Sequence, residues 1–533
     1  MHYKFKKKLN KIKAWHLILL FFILNLIFLT NFPFVHSDEA WLSGLSRQIL
    51  EQKTFKTTET FFDLLPRHPH AIKAFFHSIQ IIFIKLFTYN IFSFRLISLI
   101  SGSLSLFIFY KISYLITKSK SLSLASIVIL AVEIQFIYSS HLARQEIILV
   151  LIMLIAIYYF LKEIYYQKKY ISNFNFKKYH SNLKDIILAI ILGTAIGFHP
   201  NALIISLPMV LIYSWSLFFK KEFKLKNYFS FMATLAFIAL IFVYLSYSLD
   251  PNFFSNYLNY GANLGVLNSF LLKFKNLKIF YLKLFYQISG TYYLPLIKFQ
   301  LLFFLIISII ASLKLFFKKD QINLYLILSI IGINLGFLLI GRYNQTSIIF
   351  IFPLYYLLFI NLSKNLRPKL VFSLISILII CLTVNSGIVI YNDSHHNYQN
   401  YLNQIGKVIP ANAKVLANLN TDYYFENGSL IDYRNLAFLA ENNISFAKYI
   451  TKNKIEYIIY PEEMDFIYNS RPQWNILYGN LYPFYSQLQT FLEKEAKLVK
   501  SFSNSTYGMR ITPKIGEKEW KIKIYKVQHK ADF

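Results

Sequence analysis

Cysteine is almost absent from the chain: Cys381 stands alone, inside an apolar run. No disulfide can form within the chain, and nothing resembles a thiolate metal site. Acidic residues are scarce, 26 against 56 lysines and arginines, and glycine and proline number only 16 and 14 in 533 residues. No internal repeat is visible, which argues against a transporter built from repeats. What the chain has in excess is apolar surface: 56% hydrophobic residues, 18% aromatic, and a mean hydropathy of +0.43. A soluble fold of this length has no use for so much apolar surface, whereas a polytopic membrane protein does. The formal charge of +30 raises nucleic acid as a partner. The lysines, however, fall in short tracts between apolar runs, as the positive-inside rule places them, so nucleic acid is set aside.

The charge pattern yields a topology. Lys4, Lys6, Lys7, Lys8, Lys11 and Lys13 precede an apolar run from Ala14 to Val35. That run is too long for a signal-peptide core and reads as an uncleaved first span with its N-terminus inside. Further spans are predicted near 94–116, 121–140, 147–166, 185–198, 201–219, 228–249, 294–317, 322–341, 346–363 and 370–391, about eleven transmembrane helices in all. The clusters Lys118/Lys120, Lys162–Lys184, Lys220–Lys226, Lys314–Lys319 and Lys364–Lys369 all fall on the side of the N-terminus. Residues 1–391 are thus expected to form the membrane domain, with a first outer loop at 36–93. Ala71–Phe87, interrupted by Lys73, His77 and Lys85, reads as an interfacial helix. Phe270–Phe285 interleaves four lysines with apolar residues outside the membrane. It is either an amphipathic helix on anionic headgroups or a basic lip that draws in a lipid phosphate.

Beyond Tyr391 the composition becomes mixed. Short β-like runs at 414–417, 455–460 and 521–525 alternate with helical patterns at 398–409, 446–454 and 485–502. Residues 392–533 therefore read as a small extracytoplasmic α/β domain. They contain no glycine-rich phosphate loop and no nucleophile motif.

The chemically capable residues gather at the outer face. Asp38 and Glu39 follow the first span directly, at the start of a helix whose apolar positions are Leu42, Leu45, Ile49 and Leu50. Partial desolvation there raises a carboxyl pKa and suits it to take a proton from a hydroxyl. The competing reading is that the pair caps the helix and meets its dipole. Arg47, His68, His70, Arg95, His141, Arg144, Glu146, His199 and Arg342 lie on the same side. Arg144 and Arg342 sit on short outer turns, where a guanidinium either chelates a phosphate or snorkels among headgroups. Glu133, inside a span, needs a polar cavity or a partner. A carboxylate to activate an acceptor hydroxyl, with arginines to stabilise a departing phosphate, suits a lipid-phosphate donor. Asp38 and Glu39 with His68 or His70 could also hold a divalent ion, although no metal ligand set is assigned.

Several stretches, taken in order, resemble the GT-C glycosyltransferases of the protein O-mannosyltransferase and aminoarabinose-transferase type. They are the acidic pair with Trp41 and Arg47, Arg67-His68-Pro69-His70-Ala71, and Asn90 to Ser98. They continue with His141-Leu142-Ala143-Arg144-Gln145-Glu146, Gly197-Phe198-His199-Pro200, and Arg342-Tyr343 leading to Phe352-Pro353. The resemblance covers about 1–390. It departs at Arg67-His68, where some relatives carry a glutamate, and at His199, where a lysine is usual. It implies a GT-C fold and an inverting transfer of sugar from a polyprenyl-phosphate donor to a hydroxyl of a lipid, glycan or protein. It assigns Asp38 as base or acceptor anchor and Glu39 as its helper. Arg144, Arg342 and Tyr343 would bind the donor phosphate, with Arg47, His68, His70, Glu146 and His199 in support. No cofactor is required by it, and a bacterial plasma membrane is the expected location. The alternatives are a lipid-linked glycan transporter or flippase, which would place functional charges near the midplane, and a glycan polymerase.

Overall fold

The computed structural model describes residues 12–65, 67–166, 182–219, 224–288, 292–318, 320–393, 396–510 and 518–528. Lys4 to Lys11, Lys220, Lys221, Lys319 and most of the 162–184 connection lie outside the described residues. In lipid every backbone polar group must be satisfied within the segment, so the apolar runs fold as helices. Among the described residues seven helices are long and apolar enough to cross a membrane, or eight if the bent pair Lys120–Ala131 and Ile134–His141 counts as one span. The protein is a multi-pass membrane protein. The remaining predicted spans are shorter helices: Ala14–Ile27, Leu183–Gly193 and Ala202–Phe218. Helix Ala202–Phe218 lies against Gln321–Ile340 at glycine-only range. A Cβ on Gly332 would meet the Pro208 backbone at 2.7 Å, and one on Gly336 would meet the Ile204 Cα at 2.7 Å. Small residues of this kind let helix backbones approach closely in membranes.

Two polar devices shape the membrane region. The first is Glu133, at the 64° bend between Lys120–Ala131 and Ile134–His141. Its Oε1 accepts from Gln135 N (3.1 Å) and Gln300 Nε2 (3.2 Å), and its Oε2 accepts from the Tyr356 hydroxyl. Glu133 thus caps the second half-helix and is satisfied by a tyrosine and a glutamine, with no arginine. The second is Arg95, fully buried in helix Ile91–Thr117. The first apolar run leaves helical geometry after Ile27, short of the predicted Val35. The freed carbonyls of Leu29, Phe32 and Pro33 accept from Arg95 NH1 at 3.0, 3.3 and 2.8 Å. The same guanidinium pairs with Glu39, Nε to Oε2 and NH2 to Oε1, both at 2.9 Å.

The C-terminal region contains a five-stranded sheet in the order β2-β1-β3-β5-β4. The strands are β1 Val415–Ala417, β2 Leu430–Asp432, β3 Tyr457–Pro461, β4 Ala496–Asn504 and β5 Trp520–Val527. Strand β1 pairs in parallel with β2 and β3, and β5 runs antiparallel to both β3 and β4. The helix predicted at 485–502 ends at Lys494, and β4 takes its second half. From Lys500 to Asn504 half-buried and exposed residues alternate, as in a half-buried strand. The first outer segment joins the two regions. Arg47 NH2 reaches both oxygens of Asp422 (3.0 and 3.1 Å) and its NH1 reaches Phe425 O, while Asp432 N donates to Phe61 O. The Tyr449 hydroxyl donates to Asp63.

Breaking the Glu39–Arg95 pair from either side leaves a buried charge without compensation, at a cost of about 3–5 kcal/mol. Glu39→Gln and Arg95→Met should each lower the thermal unfolding midpoint in detergent sharply, with Asp38→Asn as the control that leaves the pair intact. An unchanged midpoint in both variants would remove this pair as the anchor of the outer segment.

Candidate active site

Helix Ser37–Gln52 begins at a capping box. His36 Nδ1 accepts from Asp38 N (3.0 Å) and Glu39 Oε1 accepts from His36 N (2.9 Å). Glu39 is fully buried. Beyond the cap and Arg95, its Oε2 accepts from Ala143 N at 2.8 Å. Every direction in which Glu39 can accept is taken, so it does not meet a substrate. The Asp38 side chain takes no part in the cap. It keeps 22% exposure, and its Oδ2 accepts from Arg144 NH1 (2.8 Å) and from the Tyr292 hydroxyl. Its Oδ1 lies 3.8 Å from His36 Nδ1 and accepts no hydrogen bond from a described residue. One oxygen is held and the other is available.

Electrostatics correct one expectation. Burial pushes the Asp38 carboxyl up, as predicted, but His36, Arg144, Arg434 and Arg342 together hold it below its ordinary value. Asp38 is therefore secure in its ionised form and less basic than a merely desolvated carboxylate would be. Burial also pushes His36 down to about 4, so its ring is neutral.

The cations around Asp38 outnumber their partners. Arg144 is committed to Asp38 and to Glu146 Oε1 (3.4 Å), with Tyr292 beneath its guanidinium at 5.0 Å. Glu146 Oε1 also accepts from Thr346 Oγ1 at 2.5 Å. Arg342 is exposed and has no ion pair or hydrogen bond among the described residues. It opens on a cleft of about 560 Å³ shared with Tyr292, Asn344, Gln345, Asn268 and Lys283. Tyr343 lines the same cleft, but its hydroxyl is engaged: it donates to Lys273 O at 2.5 Å, and its ring packs on Phe280. Lys273 Nζ donates to Leu339 O at 2.7 Å, so one lysine of helix Phe270–Phe285 caps the end of helix Gln321–Ile340 while Lys283 faces the cleft.

Two residues of this site are not evident from sequence. Lys73 is the N-cap of helix Ala74–Phe87 in left-handed conformation, φ 83°. It is half-buried, 5.9 Å from the Trp41 ring, with no carboxylate partner among the described residues. Burial first, then Arg342, Arg144 and Arg67, push its pKa down to about 8. The signal was a charge at the start of an apolar helix, which earlier reads only as an interruption. Tyr292 stacks on His36 at 3.9 Å and 14° and gives no sequence signal, being one of 40 tyrosines.

The other predicted residues do not meet here. Arg47 faces Asp422, at the junction with the sheet. His68 is 45% exposed and lies 3.7 Å from Asp250. His70 packs edge-on to Tyr257, and burial with Lys73 nearby pushes it down to about 4. His199 Nδ1 accepts from Asn201 N at 3.0 Å, and burial with Lys73 and Arg144 pushes it well down. Asp38, Glu39, His68 and His70 are not brought together as an ion site. Among the described residues no three His, Cys, Asp or Glu side chains gather in a metal-holding group.

Residues 72–254 match the family model described as dolichyl-phosphate-mannose-protein mannosyltransferase. The chain is similar in structure to ArnT from Cupriavidus metallidurans bound to undecaprenyl phosphate, at 11% identity and a TM-score of 0.56, covering 84% of this chain and 95% of that one. The fold is that of the GT-C glycosyltransferases. The Archaeoglobus fulgidus oligosaccharyltransferase in apo form is similar at 12% identity and a TM-score of 0.55, covering 86% of this chain and 70% of that one. The archaeal oligosaccharyltransferase AglB, in complex with an inhibitory peptide and a dolichol-phosphate, is similar at 11% identity and a TM-score of 0.51, with the same coverage. No curated protein matches the chain in sequence. On this GT-C framework the matched segment begins at the turn that carries Lys73 and takes in Arg95, Arg144, Glu146 and His199.

The Lys73 environment has a measurable signature. Below about pH 8 the lysine is charged in the folded and the unfolded chain alike, and the folded state bears the cost of desolvation. Between about 8 and the ordinary 10.5 the folded protein releases a proton that the unfolded chain keeps, so stability rises with pH across that window. Lys73→Met should be more stable than wild type at pH 7 in lipid-phosphate-free detergent, and the difference should shrink towards pH 10.5. A difference in unfolding midpoint that is flat from pH 7 to 10.5 would refute a charged, unpartnered Lys73.

Proposed function

We propose that the protein is a membrane glycosyltransferase that moves a sugar from a polyprenyl-phosphate donor to a hydroxyl of an acceptor. The observation that carries this reading is a single ionised carboxylate, Asp38, with one oxygen available, next to the unpartnered cations Lys73 and Arg342. A hydroxyl that reaches Asp38 Oδ1 can surrender its proton as it attacks the anomeric carbon. The phosphate leaves on the opposite side with growing charge, and the attack inverts the anomeric centre. Preorganised cations stabilise that charge where it develops. Lys73 and Arg342 hold the phosphate, and Arg144 lies between carboxylate and phosphate with its Nε unpartnered. Glu39 acts by position, fixing the turn that presents Asp38, and Tyr343 fixes the Arg342 turn. The bound undecaprenyl phosphate and dolichol-phosphate of the similar structures support the donor class.

General-base assistance contributes about 10²–10⁴-fold in rate. Asp38→Asn should therefore nearly abolish transfer while binding undecaprenyl phosphate like wild type. Lys73→Gln and Arg342→Lys should instead weaken that binding, because lysine cannot reproduce a bidentate guanidinium contact. Transfer is read by mass spectrometry of glycans and lipids in a deletion strain carrying each variant, and binding with purified protein in nanodiscs. An active Asp38→Asn protein would overturn the assignment and turn attention to Glu146.

We further propose that the active site and residues 392–533 are extracytoplasmic in a bacterial plasma membrane, with the N-terminus inside. The one-sided lysine pattern supports this orientation. A cysteine introduced at exposed Lys448 in a Cys381→Ser background should react with an impermeant maleimide in intact spheroplasts. Labelling only after lysis would reverse the topology.

A further inference from the structure

A second set of cations within electrostatic reach of Asp38 is supplied by the C-terminal region. Asp432, the last residue of β2, is shared by two arginines. Its Oδ1 accepts from Arg434 N (2.9 Å) and Nε (2.8 Å), and its Oδ2 from Leu419 N (3.2 Å) and Arg510 NH1 (3.4 Å). One carboxylate thus serves two guanidinium groups. Arg510 keeps only 8% exposure, and its Nε is buried without a partner, as is Arg434 NH2. Glu463 does not supply the missing acceptor to these two atoms: its Oε2 accepts from Arg510 N and from the Tyr478 hydroxyl. The Arg434 guanidinium lies 4.5 Å from the Phe62 ring, and Arg67, paired with Glu59, lies 5.5 Å from the same ring. Two cations on one carboxylate, Arg510 buried and Arg434 partly exposed, repel, and buried guanidinium donors left unpaired are costly. An oxyanion that accepts from both relieves each penalty, and the planar fork suits phosphate or carboxylate.

The Lys73 ammonium feels Arg342, Arg144, Arg67 and Asp38, and the Arg510 guanidinium feels Arg434, Asp432, Tyr478 and Asp38. Asp38 is the member common to the two sets. We propose that Arg434 and Arg510 form an anion subsite for the acceptor, which carries a phosphate or carboxylate close to the hydroxyl that receives the sugar. This assignment rests on the transferase reading above. It adds that the acceptor is anionic and that the C-terminal region selects it.

The test uses the full-length protein in nanodiscs, with and without saturating undecaprenyl phosphate. sn-Glycerol 3-phosphate and methyl glucuronide are titrated as phosphate and carboxylate probes, with glycerol and methyl glucoside as neutral controls. Saturable binding of at least one anionic probe is expected, with the lipid phosphate already bound and with no response to the neutral controls. Arg434→Gln and Arg510→Gln should weaken it tenfold or more, Arg434→Lys should fall between, and the exposed Lys275→Gln should match wild type. Arg510 is buried, so Arg434→Gln, at a partly exposed position, decides the matter should Arg510→Gln fail to fold. No binding of either probe to wild type, or equal binding to Arg434→Gln, would overturn the subsite. Failure of undecaprenyl phosphate itself to bind would count against the donor reading alone, because the probe titration is also run without it.

Discussion

The Glu39–Arg95 ion pair is the contact on which the rest of the outer face depends. A charge pair sealed from water is tolerated only when the remaining donors and acceptors are also satisfied. Here they are: Glu39 closes the cap of helix Ser37–Gln52 and accepts from Ala143 N, while Arg95 gathers three carbonyls of the segment leaving the first helix. Three separate stretches of chain are thereby locked to one guanidinium. The next residue in sequence benefits. With Glu39 and His36 doing the capping, Asp38 is relieved of any structural task and turns outward.

Around Asp38 the site is defined by an imbalance of charge. Arg144 is neutralised, but Lys73 and Arg342, and likewise Arg434 with Arg510, exceed the carboxylates available to them. A fold bears such an excess at the expense of stability, as functional sites commonly do. The depressed Lys73 and the neutral His36, His70 and His199 belong to the same electrostatic setting. Burial first, and the neighbouring cations second, keep His36, His70 and His199 uncharged, and His36 and His199 serve as hydrogen-bond acceptors. Expected as supports of Asp38, His68 instead lies out by Asp250, His70 packs on Tyr257 and His199 turns to Asn201 N.

Much of the fold was legible because hydropathy and lysine placement are one-dimensional signals. Each predicted span contains a helix, and Asp38 and Arg144, 106 residues apart, do meet. What stayed hidden depended on pairing at a distance. Nothing local distinguishes Glu39 from Asp38; only Arg95, 56 residues later, makes one structural and leaves the other open. Lys73 looked like a flaw in an apolar run, since its meaning comes from Arg342 and Arg144 nearby in space. Strand β2 has three residues, too few to show a period, and β4 hides behind a helix that shares its amphipathic character. Arg434 and Arg510 carry no motif; they matter because the chain after β4 returns to Asp432 at the end of β2, although β2 and β4 are opposite edges of the sheet.

The junction between the outer segment and the sheet also sets an order of events. Asp38 precedes in the chain most of the groups that surround it: Arg144, Tyr292, Arg434 and finally Arg510. Strand β5, the last of the sheet, lies between β3 and β4 and is needed to hold them together. A chain still being synthesised therefore has its carboxylate in place long before the surrounding cations. The proposed site is therefore closed around Asp38 only when strand β5 has joined β3 to β4.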